Sequence, residues 1–294
     1  MSTSLAQRVV FRTMLGNVLL VFMKLSVGIM AGSAALIAEA VHSAGDVIAS
    51  FAVFISFRLS GKAPDQCHHF GHKKIESICT CLVGVLLILI SYELITDAIG
   101  NLREGDLAVP GVAALYVTIA CIVIKEGMYR YTINAANKVK SRLLYADAWH
   151  HRADMMVLSA VLVGVGGARL GYPILDGLVA LGISVLILRL GIGFCRSGLG
   201  DLIDKAPDEN TTKEIRKTVE VIHGVEDIHT LRARCHGSEV QMEIHIGVDS
   251  NMRVSEGHDV AKEVKTTIMR EFPEVSHVVV HVDPVSEKLS PSTN

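Results

Sequence analysis

Residues 42–46 read His-Ser-Ala-Gly-Asp and residues 150–154 read His-His-Arg-Ala-Asp, and both runs interrupt long apolar stretches. Residues four apart share one face of a helix, so each run would set an imidazole beside a carboxylate. Two such helices offer four donors, two nitrogens and two oxygens. Ionisable groups are costly within a bilayer and mark function there by default. A polar contact that merely held two helices together would not require a second, matching pair.

Outward from these runs, the apolar character is uneven. Half of the 294 residues are hydrophobic. From about Val9 to Ser197 they gather into stretches near the roughly 20 residues needed to cross a hydrocarbon core, while the last third has ordinary soluble composition. Six spans are expected: Val9 to Met30, Ala34 to Phe57, Ile78 to Ile99, Val109 to Tyr129, Leu144 to Leu170 and Ile174 to Cys195. The second and fifth carry the His/Asp runs. Ser2 to Arg8 is polar and precedes no persuasive processing site, so no cleaved leader is expected. With 28 Lys and Arg against 30 Asp and Glu, no global charge points to nucleic acid.

Loop charge sets orientation. Arg58, Lys62, Lys73 and Lys74 follow the second span, Arg130, Lys138, Lys140 and Arg142 follow the fourth, and Arg8 and Arg12 lie near the N-terminus. The connections near Gly32, Arg103 to Asp106 and Gly171 to Pro173 hold few basic residues. Both termini are therefore expected in the cytoplasm. Cys67, Cys79, Cys81, Cys121, Cys195 and Cys235 then lie in spans or on the reducing side, so no disulfide framework is expected.

The tail begins near Asp204 and Pro207. Ile215, Val219 and Ile222 share a helical face that His223-Gly224 should end. A strand from Ile228 turns at Gly237-Ser238 into Val240, Met242, Ile244, Ile246 and Val248, which alternate with polar or small residues. Val260, Val264 and Ile268 mark a helix capped at Ser255 and ended by Pro273, and Val278, Val280 and Val282 a last strand. The order α-β-β-α-β predicts a small α+β domain with helices on one sheet face. The expected divisions are 1–203 for the membrane domain, 204–285 for the soluble domain and 286–294 for a disordered tail.

Three groups of residues suit metal ions. His42, Asp46, His150 and Asp154 match a tetrahedral site for a borderline cation such as Zn²⁺. His151 is turned about 100° from His150 and faces elsewhere. Asp65, His68 and His72 in the loop after the second span have spacing suited to one metal, with Cys67 and His69 as extras; a solvated His-rich loop is the alternative. In the tail, His281 and Asp283 fall on one side of a strand, His245 lies on the polar face of its own, and His229 and His258 could converge on the same sheet edge.

These groups, in this order, on six spans followed by an α/β tail, resemble the cation diffusion facilitator family of divalent metal transporters. The resemblance runs from Val9 to Asp283 and includes Gly32-Ser33-Ala34-Ala35-Leu36, the His42 to Asp46 and His150 to Asp154 motifs, and Phe70-Gly71-His72 with Lys74 and Glu76. It implies a transport site at His42, Asp46, His150 and Asp154, an auxiliary site at Asp65, His68 and His72, and a metallochaperone-like tail forming a homodimer around metal held by His229, His245, His258, His281 and Asp283. It further implies a charge pair between Lys74 and Asp204. The absence of a His-rich insert in residues 131–141 is similar to prokaryotic members of the family, which implies a prokaryotic inner membrane. The chain departs from the family's Gly-His-Gly-Lys at Gly71-His72-Lys73-Lys74. His42 points to zinc, because members said to handle iron tend to carry Asp there and manganese-type members carry acidic residues in both pairs.

The expected activity is Zn²⁺ export from the cytoplasm in exchange for protons by alternating access, through a homodimer in a lipid bilayer. An Fe²⁺ or Mn²⁺ carrier of the same family is the runner-up, since the chain is also similar to magnetosome-associated members. A membrane metal sensor or scaffold would need the tail cluster but not both intramembrane pairs. An enzyme is not expected: no H-E-x-x-H run or general base accompanies the motifs, and four protein ligands leave no position for a reacting water.

Overall fold

The structure is a computed structural model that describes residues 2–60, 62, 64–104, 108–139 and 142–285. Six long helices come first: α1 Ser2–Ala31, α2 Ala34–Ser60, α3 Lys74–Glu104, α4 Val112–Val139, α5 Arg142–Arg169 and α6 Ile174–Leu202. The tail follows as α7 Glu209–Glu220, β1 Asp227–His236, β2 Glu239–Asp249, α8 Val254–Glu271 and β3 Val275–Val285. By length and composition, α1, α2, α3, α4 and α6 can each cross a membrane. The 28-residue α5 is long enough too, but Asp147, the two histidines, Arg152 and Asp154 make it the least apolar of the six. Among the described residues, five of the six expected spans thus have the length and composition to cross, and α5 does not.

The chain separates into two compact units, residues 1–52 with 82–195, and residues 53–81 with 196–294. The second unit thus contains the loop after α2 as well as the tail, and residues 286–294, expected to be disordered, lie outside the described residues.

In the first unit, Leu36, Leu87, Val161, Val165, Ile183 and Ile187 form a packed centre. Phe11, Leu19, Phe22, Leu82, Leu89 and Val163 are turned outward and exposed, whereas Lys24, Glu39, Lys125, His151 and Asp154 are buried. That inversion of the usual pattern suits a protein whose surroundings are as apolar as its core. Helices α3 and α6 meet at Gly84 and Gly191, where a Cβ on Gly84 would come within 2.7 Å of the Gly191 carbonyl. Only glycine permits that approach. Asp176 of α6 accepts the Ser33 hydroxyl at 2.8 Å and the Ala35 N–H at 3.3 Å, so a carboxylate from a neighbouring helix serves the start of α2.

In the second unit, β1 pairs with β2 antiparallel and β2 with β3 parallel, with α8 as the crossover. Val240, Met242, Ile244, Ile246 and Val248 pack against Ile215, Val219, Val264 and Ile268, as the alternation predicts. One detail differs from the sequence expectation. Helix α8 does not begin at Ser255: its cap is Arg253, whose N–H donates to the Glu256 carboxylate at 2.8 Å, and Ser255 falls inside the first turn. The glutamate three residues after the cap outcompetes the serine hydroxyl.

Candidate metal sites

The bilayer-type unit brings the two motifs together. Donor atoms of His42, Asp46 and Asp154 all lie within 4.8 Å of one another. His150 Nε2 stands 3.6 Å from Asp46 Oδ2 and 3.9 Å from Asp154 Oδ1. His150 stands outside that three-residue group but close to both of its carboxylates, and donors on a tetrahedral zinc at 2.0–2.1 Å are separated by about 3.3 Å. Asp154 is buried, and the buried Nδ1 of His42 has no hydrogen-bond partner among the described residues. His151 faces away from the group, fully buried, with Nε2 3.8 Å from Asp147 Oδ2.

Two cations stand in the same interior. Lys125 of α4 places Nζ 2.5 Å from Asp154 Oδ2 and 2.9 Å from Asn17 Oδ1. Lys24 of α1 places Nζ 2.7 Å from Glu39 Oε1 and 3.0 Å from Ser43 Oγ. The sequence reading named neither. Their signal was present, as isolated charges in apolar windows, but which acidic group each one meets depends on helix packing.

The loop before α3 gathers Asp65, His68 and His72, with donors within 4.8 Å. Asp65 accepts the N–H groups of His68 at 2.7 Å and Cys67 at 2.9 Å, and these bonds hold its carboxyl below the usual carboxylate range. His68 Nδ1 and His72 Nε2 approach its two oxygens at 3.4 and 3.5 Å. Cys67 and His69 are exposed and stand outside this group.

The loop is fastened to the β1–β2 hairpin. His236 donates from Nε2 to the Phe70 carbonyl at 3.2 Å, and the Ser238 N–H donates to Glu76 Oε2 at 2.9 Å. Gly237, at φ 63°, passes so close to the Lys73 carbonyl that a Cβ there would approach it to 2.6 Å. Lys74 and Arg234 both reach Asp204 at 3.1 Å; the Lys74 bond first and the Arg234 charge next hold that carboxyl below its usual range. Lys73, where the family has glycine, pairs with Glu239 at 3.0 Å. Burial holds the His236 imidazole below its ordinary value.

On the open sheet face, register sets His245 beside His281 and Gly247 beside Asp283. Asp283 lies 3.6 Å from His245 Nδ1 and 3.1 Å from His281 Nε2, and the three form a compact donor group. Glu243, which the sequence reading missed, meets His245 Nε2 at 2.9 Å; that bond keeps its carboxyl below the usual range. His229 sits at the irregularity in β1, paired with Asp227 at 3.1 Å, and His258 is exposed on α8. Neither belongs to the three-residue group.

Membrane-length helices that bury imidazole and carboxylate donors, with further donor groups in a second compact unit, define an integral membrane protein that moves cations. Residues 10–203 match the cation efflux transmembrane domain, and residues 207–285 match the cation efflux protein cytoplasmic domain. The chain belongs to the cation efflux family, the cation diffusion facilitators, and is a cation efflux transporter rather than an enzyme. It is 31% identical over 292 residues to the manganese efflux system protein MneP of Bacillus subtilis, covering 97% of this chain and 98% of that one. It is likewise 31% identical over 281 residues to the magnetosome protein MamB of Paramagnetospirillum magneticum, covering 95% and 94%. Metal tolerance protein C1 of Arabidopsis thaliana is 36% identical over 281 residues, covering 90% of this chain and 60% of that one. Among solved structures, MamM V260R is 22% identical and covers 26% of this chain and 95% of that chain, with a TM-score of 0.26.

Proposed function

We propose that this transporter exports Zn²⁺ from the cytoplasm in exchange for protons, as a homodimer whose termini and tail lie on the cytoplasmic side. The observation that carries the reading is the convergence of His42, Asp46, His150 and Asp154 from α2 and α5. Two nitrogens and two oxygens at these separations suit a small four-coordinate ion. Proton exchange follows from the donor chemistry, because an imidazole must be neutral to take a metal and protonation releases it. Rocking of the helices around the site would alternate access. The Asp65, His68 and His72 loop and the His245, His281 and Asp283 face are proposed as cytoplasmic sites whose occupancy favours the dimer.

A Mn²⁺ or Fe²⁺ carrier is the second reading. It is favoured by the similarity to a relative named for manganese efflux and to one named for the magnetosome. Flux into proteoliposomes with an imposed pH gradient, with Zn²⁺, Mn²⁺ and Fe²⁺ in competition, separates the two. Preferential zinc flux that collapses with the gradient is expected; preferential manganese or iron flux overturns the zinc assignment, and flux indifferent to the gradient overturns proton exchange.

A further inference from the structure

Asp154 is divided between two partners. Its Oδ1 faces His150, and its Oδ2 is held by the Lys125 ammonium at 2.5 Å. Lys125 in turn is fixed from its other side by Asn17 Oδ1 at 2.9 Å. Lysine and aspartate side chains are respectively 3% and 5% exposed, so neither has water as a substitute partner. Three helices thus set the orientation of one carboxylate: α5 carries it, α4 supplies the ammonium and α1 braces that ammonium.

A carboxylate with one oxygen committed to a buried ammonium has only the other to give to a metal. Four-coordinate Zn²⁺ needs no more than one oxygen from each aspartate beside two imidazoles. Ions that suit oxygen-rich, six-coordinate sites gain from a carboxylate free to bind through both oxygens. The ammonium also offsets part of the site's negative charge, which matters most for ions bound chiefly through carboxylates. Groups that orient a ligand in this way alter metal affinity by factors of about 10 to 100.

We propose that Lys125 is a positioning residue that restricts Asp154 to one-oxygen coordination, and thereby biases the transport site toward four-coordinate zinc-type ions against manganese-type ions. The proposal rests on His42, Asp46, His150 and Asp154 being the transport site. It places a selectivity determinant on α4, outside the two helices that carry the motifs, in a residue that need not touch the metal.

The test is zinc and manganese flux through the reconstituted full chain, comparing parent, Lys125→Gln, Lys125→Arg and Asp154→Ala. In Lys125→Gln the ratio of the manganese KM to the zinc KM should fall about tenfold. Lys125→Arg, which keeps a cation on Oδ2, should stay near the parent ratio. A lysine that only supports the fold, or only competes with metal for the site, would change both KM values by one common factor; that outcome overturns the proposal. Should Lys125→Gln give no monodisperse protein, Asn17→Ala keeps the ammonium but removes its brace, and should lower the ratio a few-fold. An unchanged ratio there overturns the proposal as well. Asp154→Ala keeps the failures apart: if it transports like the parent, the site reading itself is wrong, and if it abolishes flux while Lys125→Gln leaves the ratio unchanged, only the role of Lys125 is wrong.

Discussion

Both units have an apolar core, but they differ in what else they bury and in what they turn outward. In the helical unit the large side chains withdrawn completely from the surface include Lys24, Glu39 and His151, while Phe11, Leu19, Phe22 and Leu82 face outward. In the tail the fully withdrawn side chains are Ile215, Ile244, Ile246 and Ile268, and the donors His245, His281 and Asp283 lie on the open sheet face. A bilayer offers no hydrophobic force to gather apolar groups, so polar groups gather instead and are paired inside. Water reverses the choice. The same donor types therefore occur as an interior site in one unit and as a face in the other.

The largest expected effect breaks the interior site. Asp154→Ala should cut metal flux about a hundredfold or more, since it removes a ligand and leaves Lys125 buried without its anion. Metal bound by the cytoplasmic groups should be unchanged, which equilibrium dialysis with elemental analysis would check. A loss of bound metal from the tail as well would mean that the two units do not hold metal independently.

A pair of apolar truncations tests the inversion next. Ile244→Ala in the sheet should destabilise the tail by about 2–5 kcal/mol, because a fully buried side chain leaves a cavity. Phe22→Ala on α1 should change stability by only about 0.5 kcal/mol, because its exposed ring has lipid on the other side. Chemical denaturation in lipid nanodiscs, followed by a probe in each unit, measures both. Equal losses would contradict the inverted pattern.

Smaller still is the effect of removing the exposed face. His281→Ala with Asp283→Ala should lower the zinc bound per chain by about one equivalent and leave the melting temperature of the tail nearly unchanged, since both side chains lie off the Val278 core face. Unaltered zinc stoichiometry would show that His245, His281 and Asp283 do not form a site.

The mildest prediction concerns pH and the hairpin that grips the loop. Burial lowers the His236 pKa below 6.5, so the folded contact favours the neutral ring. Its contribution is complete above about pH 6.5 and is lost as the pH falls below that value toward the folded pKa. Asp204, whose pKa is lowered from 3.8, should keep Lys74 and Arg234 until the solution is far more acidic. Hydrogen-exchange protection, taken relative to the intrinsic rate at each pH, should therefore fall around Phe70 and His236 as the pH drops from 7.5 to 5.5, while residues beside Asp204 stay protected. Matching protection at both pH values would remove His236 from the latch.

Much of this was legible in order. The i, i+4 spacing of His42 with Asp46 and of His150 with Asp154 fixed which face of each helix carries donors, and the alternation through Val240 to Val248 fixed which face of β2 is core. Asp65, His68 and His72 lie close in sequence, so their meeting needed only a local turn. His229 and His258 show where that reasoning thins. A strand irregularity turns His229 toward Asp227, and α8 carries His258 at the surface, and neither follows from periodicity. The Ser255 cap was displaced by a competing glutamate one residue away.

The sequence by itself determined the periodic and local features: the apolar helices, the donor pairs, the order of the tail and the sign of each loop. Those follow from the pitch of a helix, the pleat of a strand and the cost of charge in hydrocarbon. Tertiary structure alone decided which distant groups meet. Lys125 finds Asp154 across 29 residues, Asn17 braces it from 108 residues away, and the hairpin at Gly237 closes on the loop more than 160 residues earlier. Such pairings have no period to read, because they are fixed by how whole helices and sheets pack.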